Sequence, residues 1–106
     1  MYAVFRETTY TPDTKIEETK AFKEFQDQHA KQRGYLGTVV TNVGEGRYLT
    51  VTLWESKKDM DDAREALASV VESLLTPIMT SPAKLLGTGP VVVNDMHKSA
   101  GVKNSA

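Results

Sequence analysis

Tyr35-Leu36-Gly37-Thr38-Val39-Val40-Thr41-Asn42-Val43-Gly44-Glu45-Gly46-Arg47-Tyr48-Leu49-Thr50-Val51-Thr52-Leu53-Trp54-Glu55-Ser56-Lys57-Lys58-Asp59 is the stretch whose reading decides the fold. Its two halves are rich in β-branched and aromatic residues and flank Gly44-Glu45-Gly46, a connection with glycine at both ends. Positive φ is cheap for glycine alone, so the pattern predicts two strands, about residues 35–43 and 47–55, joined by a tight hairpin. In the second strand Leu49, Val51 and Leu53 point one way, while Tyr48, Thr50, Thr52 and Trp54 point the other. Both sets carry bulk, which predicts that both faces of the sheet are covered. Asn42, just before the hairpin, reads as a turn-stabilising residue.

Downstream, Ser56-Lys57-Lys58-Asp59 has the composition of a helix cap, with an acidic side chain in the first turn. Met60, Ala63, Leu67, Val70 and Leu74 then recur at helical spacing and form a core stripe. Asp59, Asp61, Asp62, Arg64 and Glu65 fall largely outside it, on a solvated face. The helix is expected to end before Pro77, because the residue ahead of a proline avoids the helical region. A loop containing Pro82 leads to a last strand over about residues 85–93, where Pro90 marks an edge or bulge position.

Upstream, residues 2–9 read as a strand in which Arg6 and Glu7 point to opposite faces. Thr11-Pro12-Asp13-Thr14 signals a helix start, and Thr14 with Glu17 has capping-box spacing. The predicted helix runs over residues 13–33 and stops at Gly34. Phe22, Phe25 and His29 share one of its faces; Lys20, Lys23, Glu24 and Lys31 lie on the solvated one. The order β-α-β-β-α-β makes residues 1–93 a ferredoxin-like α+β sandwich, with residues 94–106 as a flexible C-terminal tail. Two helices on one side leave the other side of the sheet bare, and its apolar alternation predicts a second copy there, hence a symmetric homodimer.

Composition excludes several classes. At 106 residues the chain is expected to form one domain. Its 13 basic and 14 acidic residues are interspersed, with a net charge of −1, so no nucleic-acid partner is expected. The absence of cysteine removes disulfides and thiol nucleophiles, and the two histidines, His29 and His97, are far apart, so no metal site is expected. Met1-Tyr2-Ala3-Val4-Phe5-Arg6-Glu7 lacks a basic start followed by a long apolar core, so no signal peptide is expected. No apolar run approaches the ~18 residues of a transmembrane helix. A cytoplasmic protein with no membrane partner is the resulting expectation. Phosphate-cradling, dinucleotide-binding and nucleophile-elbow motifs are absent, and Gly87-Thr88-Gly89 reads as strand flexibility.

Thr50-Val51-Thr52-Leu53-Trp54-Glu55-Ser56-Lys57-Lys58-Asp59 resembles the strand-to-helix junction of the antibiotic-biosynthesis-monooxygenase (ABM) family, whose members are dimeric α/β barrels of this size. Gly34-Tyr35-Leu36-Gly37 is similar to that family's Pro-Gly-aromatic-Leu turn, with Arg33 where proline is usual. The resemblance covers residues 2–93 and implies a pocket between sheet and helices. Its cofactor-free oxygenases carry an asparagine four residues before the tryptophan and a tyrosine six residues after it. Here those positions hold Thr50 and Met60, and Trp54 alone matches. The haem-degrading branch uses an asparagine on the first strand and tryptophan and histidine on the second helix. None of these is present here, so haem degradation is not expected.

The candidate site follows. Trp54 and His29 are the candidate catalytic pair, Trp54 as a stacking wall for a planar ligand and His29 as proton acceptor, since imidazole titrates near neutral pH. The structural alternative for His29 is a half-buried side chain bonded to a carbonyl near the helix end. Tyr35, Tyr48, Thr50, Thr52 and Met60 are the candidate substrate-binding residues. The implied function is a cofactor-independent monooxygenase acting on a small planar phenolic or quinol compound, with no cofactor. The alternative is a non-catalytic small-ligand-binding or dimeric interaction module on the same fold.

Overall fold

Strand β1 (Tyr2–Thr9) lies at the interior of the sheet, and its alternation organises the molecule. Tyr2, Val4, Arg6 and Thr8 face one side; Ala3, Phe5 and Glu7 face the other. In the computed structural model, which describes residues 1–96, β1 is followed by helix α1 (Lys20–Ala30), strands β2 (Tyr35–Gly44) and β3 (Arg47–Trp54), helix α2 (Lys57–Leu74) and strand β4 (Ser81–Pro90). The four strands form one antiparallel sheet in the order β2-β3-β1-β4, with Val4 opposite Thr52 and Phe5 opposite Val51. This is the expected ferredoxin-like α+β arrangement. Most of the expected C-terminal tail, with His97, lies outside the described residues.

The helices cover one face through two apolar clusters. Val4 and Trp54 of the sheet pack with Met60, Ala63 and Leu67 of α2. Tyr10, Ile16, Phe22, Tyr48 and Leu75 form the second cluster toward the other end of the sheet. Ser56 caps α2, its side chain accepting from the Asp59 amide, and Lys57–Asp61 and Lys58–Asp62 pairs at i,i+4 brace the exposed face. On the sheet's opposite face, the apolar side chains stay open: Phe5 is 47 % and Val39 54 % exposed, with Leu49, Val51 and Leu53 half-buried. No helix of the described residues is long and apolar enough to cross a membrane.

Two elements differ in their bounds from the sequence reading. The first helix begins at Lys20 rather than Asp13, because Thr19 takes the cap: its hydroxyl accepts from the Phe22 amide and donates to the Ile16 carbonyl. The preceding segment makes one 3-10 turn, Ile16–Glu18, which drives Ile16 into the core at 1 % exposure; Thr14 hydrogen-bonds Thr11 instead of closing a capping box. The helix also stops earlier, at Ala30, and Gly34 (φ +80°) turns the chain into β2. The last strand is Ser81–Pro90 rather than residues 85–93. It is an edge strand, so Pro82 costs no ladder bond toward a further strand, and β4 ends at the Tyr2–Pro90 pair. Beyond it the Val91 amide donates a hydrogen bond to the Met1 carbonyl.

The hairpin conforms to expectation, with Asn42 accepting from the Gly44 amide at 2.8 Å. Gly44 and Gly46 have φ of +100° and +79°, but their surroundings differ. A Cβ at Gly44 meets open space, whereas one at Gly46 falls on the Tyr10 carbonyl, where the Tyr10 amide also donates to Gly46 O at 2.8 Å. Gly44→Ala is therefore expected to cost about 1 kcal/mol from backbone conformation alone, and Gly46→Ala about 3 kcal/mol or more once the clash is added. Urea denaturation of the two variants checks the difference.

Candidate functional site

A cavity of about 380 Å³ opens between the two apolar clusters, roofed by α1 and α2 and floored by the inward face of the sheet. This lies within the range of small-molecule sites. One end is an aromatic cage. The His29 ring lies 5.0 Å from Phe25, 5.0 Å from Tyr35 and 5.4 Å from Trp54, centroid to centroid, and Tyr35 meets Trp54 edge-on at 5.6 Å. Local sequence explains the assembly. Phe25 and His29 are i,i+4 neighbours on α1, Tyr35 opens β2, and the β2–β3 register sets Tyr35 directly opposite Trp54.

His29, Trp54, Tyr35, Thr50, Thr52 and Met60 all line this cavity. Tyr48 does not. It is 2 % exposed, and its hydroxyl donates to the Thr14 carbonyl at 2.9 Å and accepts from the Ile16 amide at 3.2 Å. The side chain thus anchors the segment leading into α1, and its sequence-based assignment to substrate binding is replaced by this structural one. Its pattern was right as to face, but one strand face spans both clusters, and Tyr48 belongs to the far one.

The cavity wall includes residues that motif reasoning did not select. Thr38 links two of the expected ones: the Tyr35 hydroxyl donates to Thr38 Oγ1 at 3.0 Å, and Thr38 Oγ1 lies 3.1 Å from Thr52 Oγ1. Arg6 and Arg64 also line the cavity, Arg6 from the floor beside Thr50 and Arg64 from exposed α2. The signal for Arg6 was present in the alternation of β1, which sets it on the same side as Val4. Arg64 sits at the border of the solvated helix face, where spacing alone does not distinguish rim from solvent.

Electrostatically the site is unusual for a chain of net charge −1. Burial, reinforced by the Arg6 charge, pushes the His29 imidazole down from 6.5 to about 4, so it is neutral at physiological pH. The expectation that it titrates near neutrality is thereby corrected: desolvation outweighs the helix dipole at the end of α1. No hydrogen bond to a carbonyl holds the ring among the described residues, and neither ring nitrogen is fully buried without a partner. Burial and the neighbouring Arg64 lower the Arg6 guanidinium as well, although it stays cationic. No cluster of potential metal ligands occurs among the described residues.

A neutral buried histidine links stability to pH. Below 6.5 the unfolded chain binds a proton that the folded chain refuses until about pH 4, so stability falls as pH drops through that window. The His29 contribution to this loss is about 2 kcal/mol by pH 5. Unfolding free energies from urea titrations at about pH 7.5 and pH 5 are expected to diverge by that much more in the unmodified protein than in His29→Phe, which has no such proton to bind.

No protein-family model matches the chain, and no curated protein sequence matches it. Solved structures do. SnoaB, a cofactor-independent oxygenase from Streptomyces nogalater, superposes with a TM-score of 0.68 at 13 % identity, covering 91 % of this chain and 97 % of that one. An antibiotic biosynthesis monooxygenase superposes with a TM-score of 0.67 at 12 % identity over 88 % and 100 % of the two chains. The Nitrosomonas europaea protein NE2512, of unknown function, reaches 0.71 at 8 % identity over 91 % and 93 %. With its β2-β3-β1-β4 sheet, two helices on one face and a cavity between them, this chain has the fold of the antibiotic biosynthesis monooxygenases.

Proposed function

We propose that the protein is a cofactor-independent monooxygenase that oxidises a small planar phenolic or quinol compound in this cavity. The observation that carries the reading is the aromatic cage: a neutral His29 held among Phe25, Tyr35 and Trp54 at the end of a mainly apolar cavity. Flat aromatic walls hold a flat ligand by stacking. Exclusion of water favours an electron-rich carbanion or phenolate reacting with oxygen over its reprotonation by solvent.

The chemistry balances without an added reductant. For an anthrone-like substrate, a ring nitrogen of His29 accepts the proton from the acidic carbon or its enol. The resulting anion passes one electron to O2, and the substrate radical and superoxide combine to a carbon-bound peroxide, which takes the proton back from His29 as a hydroperoxide. Loss of water turns that carbon into a ketone, so one oxygen atom enters the product and the other leaves as water. All four electrons come from the substrate. The chain supplies the proton acceptor, the stacking wall and the dry cavity; Thr52, tied to Thr38, offers a hydroxyl toward the ring substituents.

One observation favours a second reading, a non-catalytic small-ligand-binding or interaction module. Thr50 and Met60 stand where the oxygenases that this sequence resembles carry asparagine and tyrosine, and neither substitutes for the lost donor pair or phenol. Oxygen uptake by the protein over a panel of anthrones, hydroquinones and related phenols separates the two. The monooxygenase reading expects saturable uptake that falls about 100-fold or more in a His29→Ala, Trp54→Phe double variant. Uptake at the uncatalysed rate for every compound selects the binding module.

Under either reading we infer a symmetric homodimer through the open sheet face, since Phe5, Val39 and Val51 form one apolar row across β1, β3 and β2. Light scattering is expected to give twice the 11.7 kDa chain mass, and Val39→Glu is expected to return it to the single-chain value. A single-chain mass for the unmodified protein at micromolar concentration rejects the dimer.

A further inference from the structure

The cavity lining carries two cationic side chains, Arg6 and Arg64, and, among the described residues, no carboxylate. Neither arginine has a carboxylate within 4 Å among the described residues. The nearby acids are committed elsewhere. Glu7, next to Arg6 in sequence, faces the opposite side of the sheet and is held by Arg47 at 2.6 Å and Lys84 at 3.7 Å. Asp61, one turn before Arg64 on α2, is held by Lys57 at 2.8 Å, and Asp62 by Lys58 at 2.7 Å.

A half-buried guanidinium beside a second one, with no carboxylate paired to it, is stabilised by an anion that enters the cavity. The planar fork of arginine matches the two oxygens of a carboxylate. A free phenol is largely neutral at physiological pH, whereas a carboxylate is already an anion there. Thr8 and Thr50, which flank Arg6 on the floor, add neutral hydroxyls and no competing charge.

We propose that the ligand of this cavity is a planar aromatic carboxylate, its carboxylate group met by Arg6 and Arg64 and its ring lying against Trp54 and His29. The proposal rests on the reading above that an aromatic molecule occupies the cavity, and it names the class: a phenol or quinol that bears an acid group. It also orients the molecule. The acid lies toward the arginines, which leaves the oxidisable part of the ring system toward the cage. Arg6 is a binding and specificity residue in this scheme, and its field also favours any further negative charge that develops on the ring during reaction.

Trp54 is the only tryptophan of the chain, so its fluorescence reports on the cavity directly. The test titrates the protein, in oxygen-free buffer so that no turnover occurs, with 3-hydroxy-2-naphthoate and with its neutral amide of the same shape. The carboxylate is expected to bind about tenfold tighter or more, a preference that weakens with added salt. Arg6→Gln and Arg64→Gln are expected to reduce naphthoate affinity while leaving that of the amide unchanged, and Arg6→Lys to retain part of the preference. Equal affinity for acid and amide in the unmodified protein, or binding of neither, overturns the proposal without reliance on any variant's folding. Tight naphthoate binding with no oxygen uptake from any acid-bearing phenol upholds the anion site and removes the monooxygenase reading. Uptake with neutral phenols and no acid preference does the reverse.

Discussion

Antiparallel pairing of β1 with β3 is the constraint on which the remainder depends. Val4 opposite Thr52, and Arg6 opposite Thr50, put one half of each strand under the helices and the other half on the open face. Because side chains alternate with period two, a slip of one residue would bring Phe5 and Glu7 into the cavity and turn Val4 and Arg6 outward. The core would lose Val4, and a carboxylate would replace a guanidinium in the cavity. Charge in the site and shape of the core are therefore fixed by one register, and neither can change without the other.

That register is held from both ends. The hairpin aligns β2 with β3 through Gly44 and Gly46, and the bond from the Tyr10 amide to Gly46 O ties the end of β1 to the same turn. At the far end, the Glu55 amide donates to Gly34 O, so the chain leaving α1 is fastened beside the start of α2. His29 and Trp54 meet across that fastening. The cage consists of residues from three elements whose relative positions are set by backbone bonds, which is the preorganisation that a binding site requires.

Much of this was legible in the sequence. Alternation in residues 47–55 and the glycines of the hairpin are local signals, and they gave the strands to within a residue; the stripe from Met60 to Leu74 gave α2. The start of α1 was misread because two threonines, Thr14 and Thr19, offer similar caps. Selection between them depends on Ile16, which can reach the second cluster only if the helix starts late. The last strand was displaced because Pro82 was read as a loop signal, and only the sheet order reveals that β4 is an edge. Of the site, His29 and Trp54 stood out by type and position. Arg6 and Glu7 were set on opposite faces of β1 but given no role, since the lack of a carboxylate across the cavity from Arg6 exists only in three dimensions.

The division of the core into two clusters has a consequence for cooperativity. In a domain this small a continuous interior normally couples every element to every other, yet here the helices close over a gap rather than over packed side chains. Between the two clusters, the sheet and the helix backbones are the main mechanical link. A molecule filling the gap would touch both at once and act as the missing middle layer of the interior. Occupancy would then register far from the site as slower amide exchange in α1 and α2 together, and as a rise in melting temperature that follows the logarithm of ligand concentration.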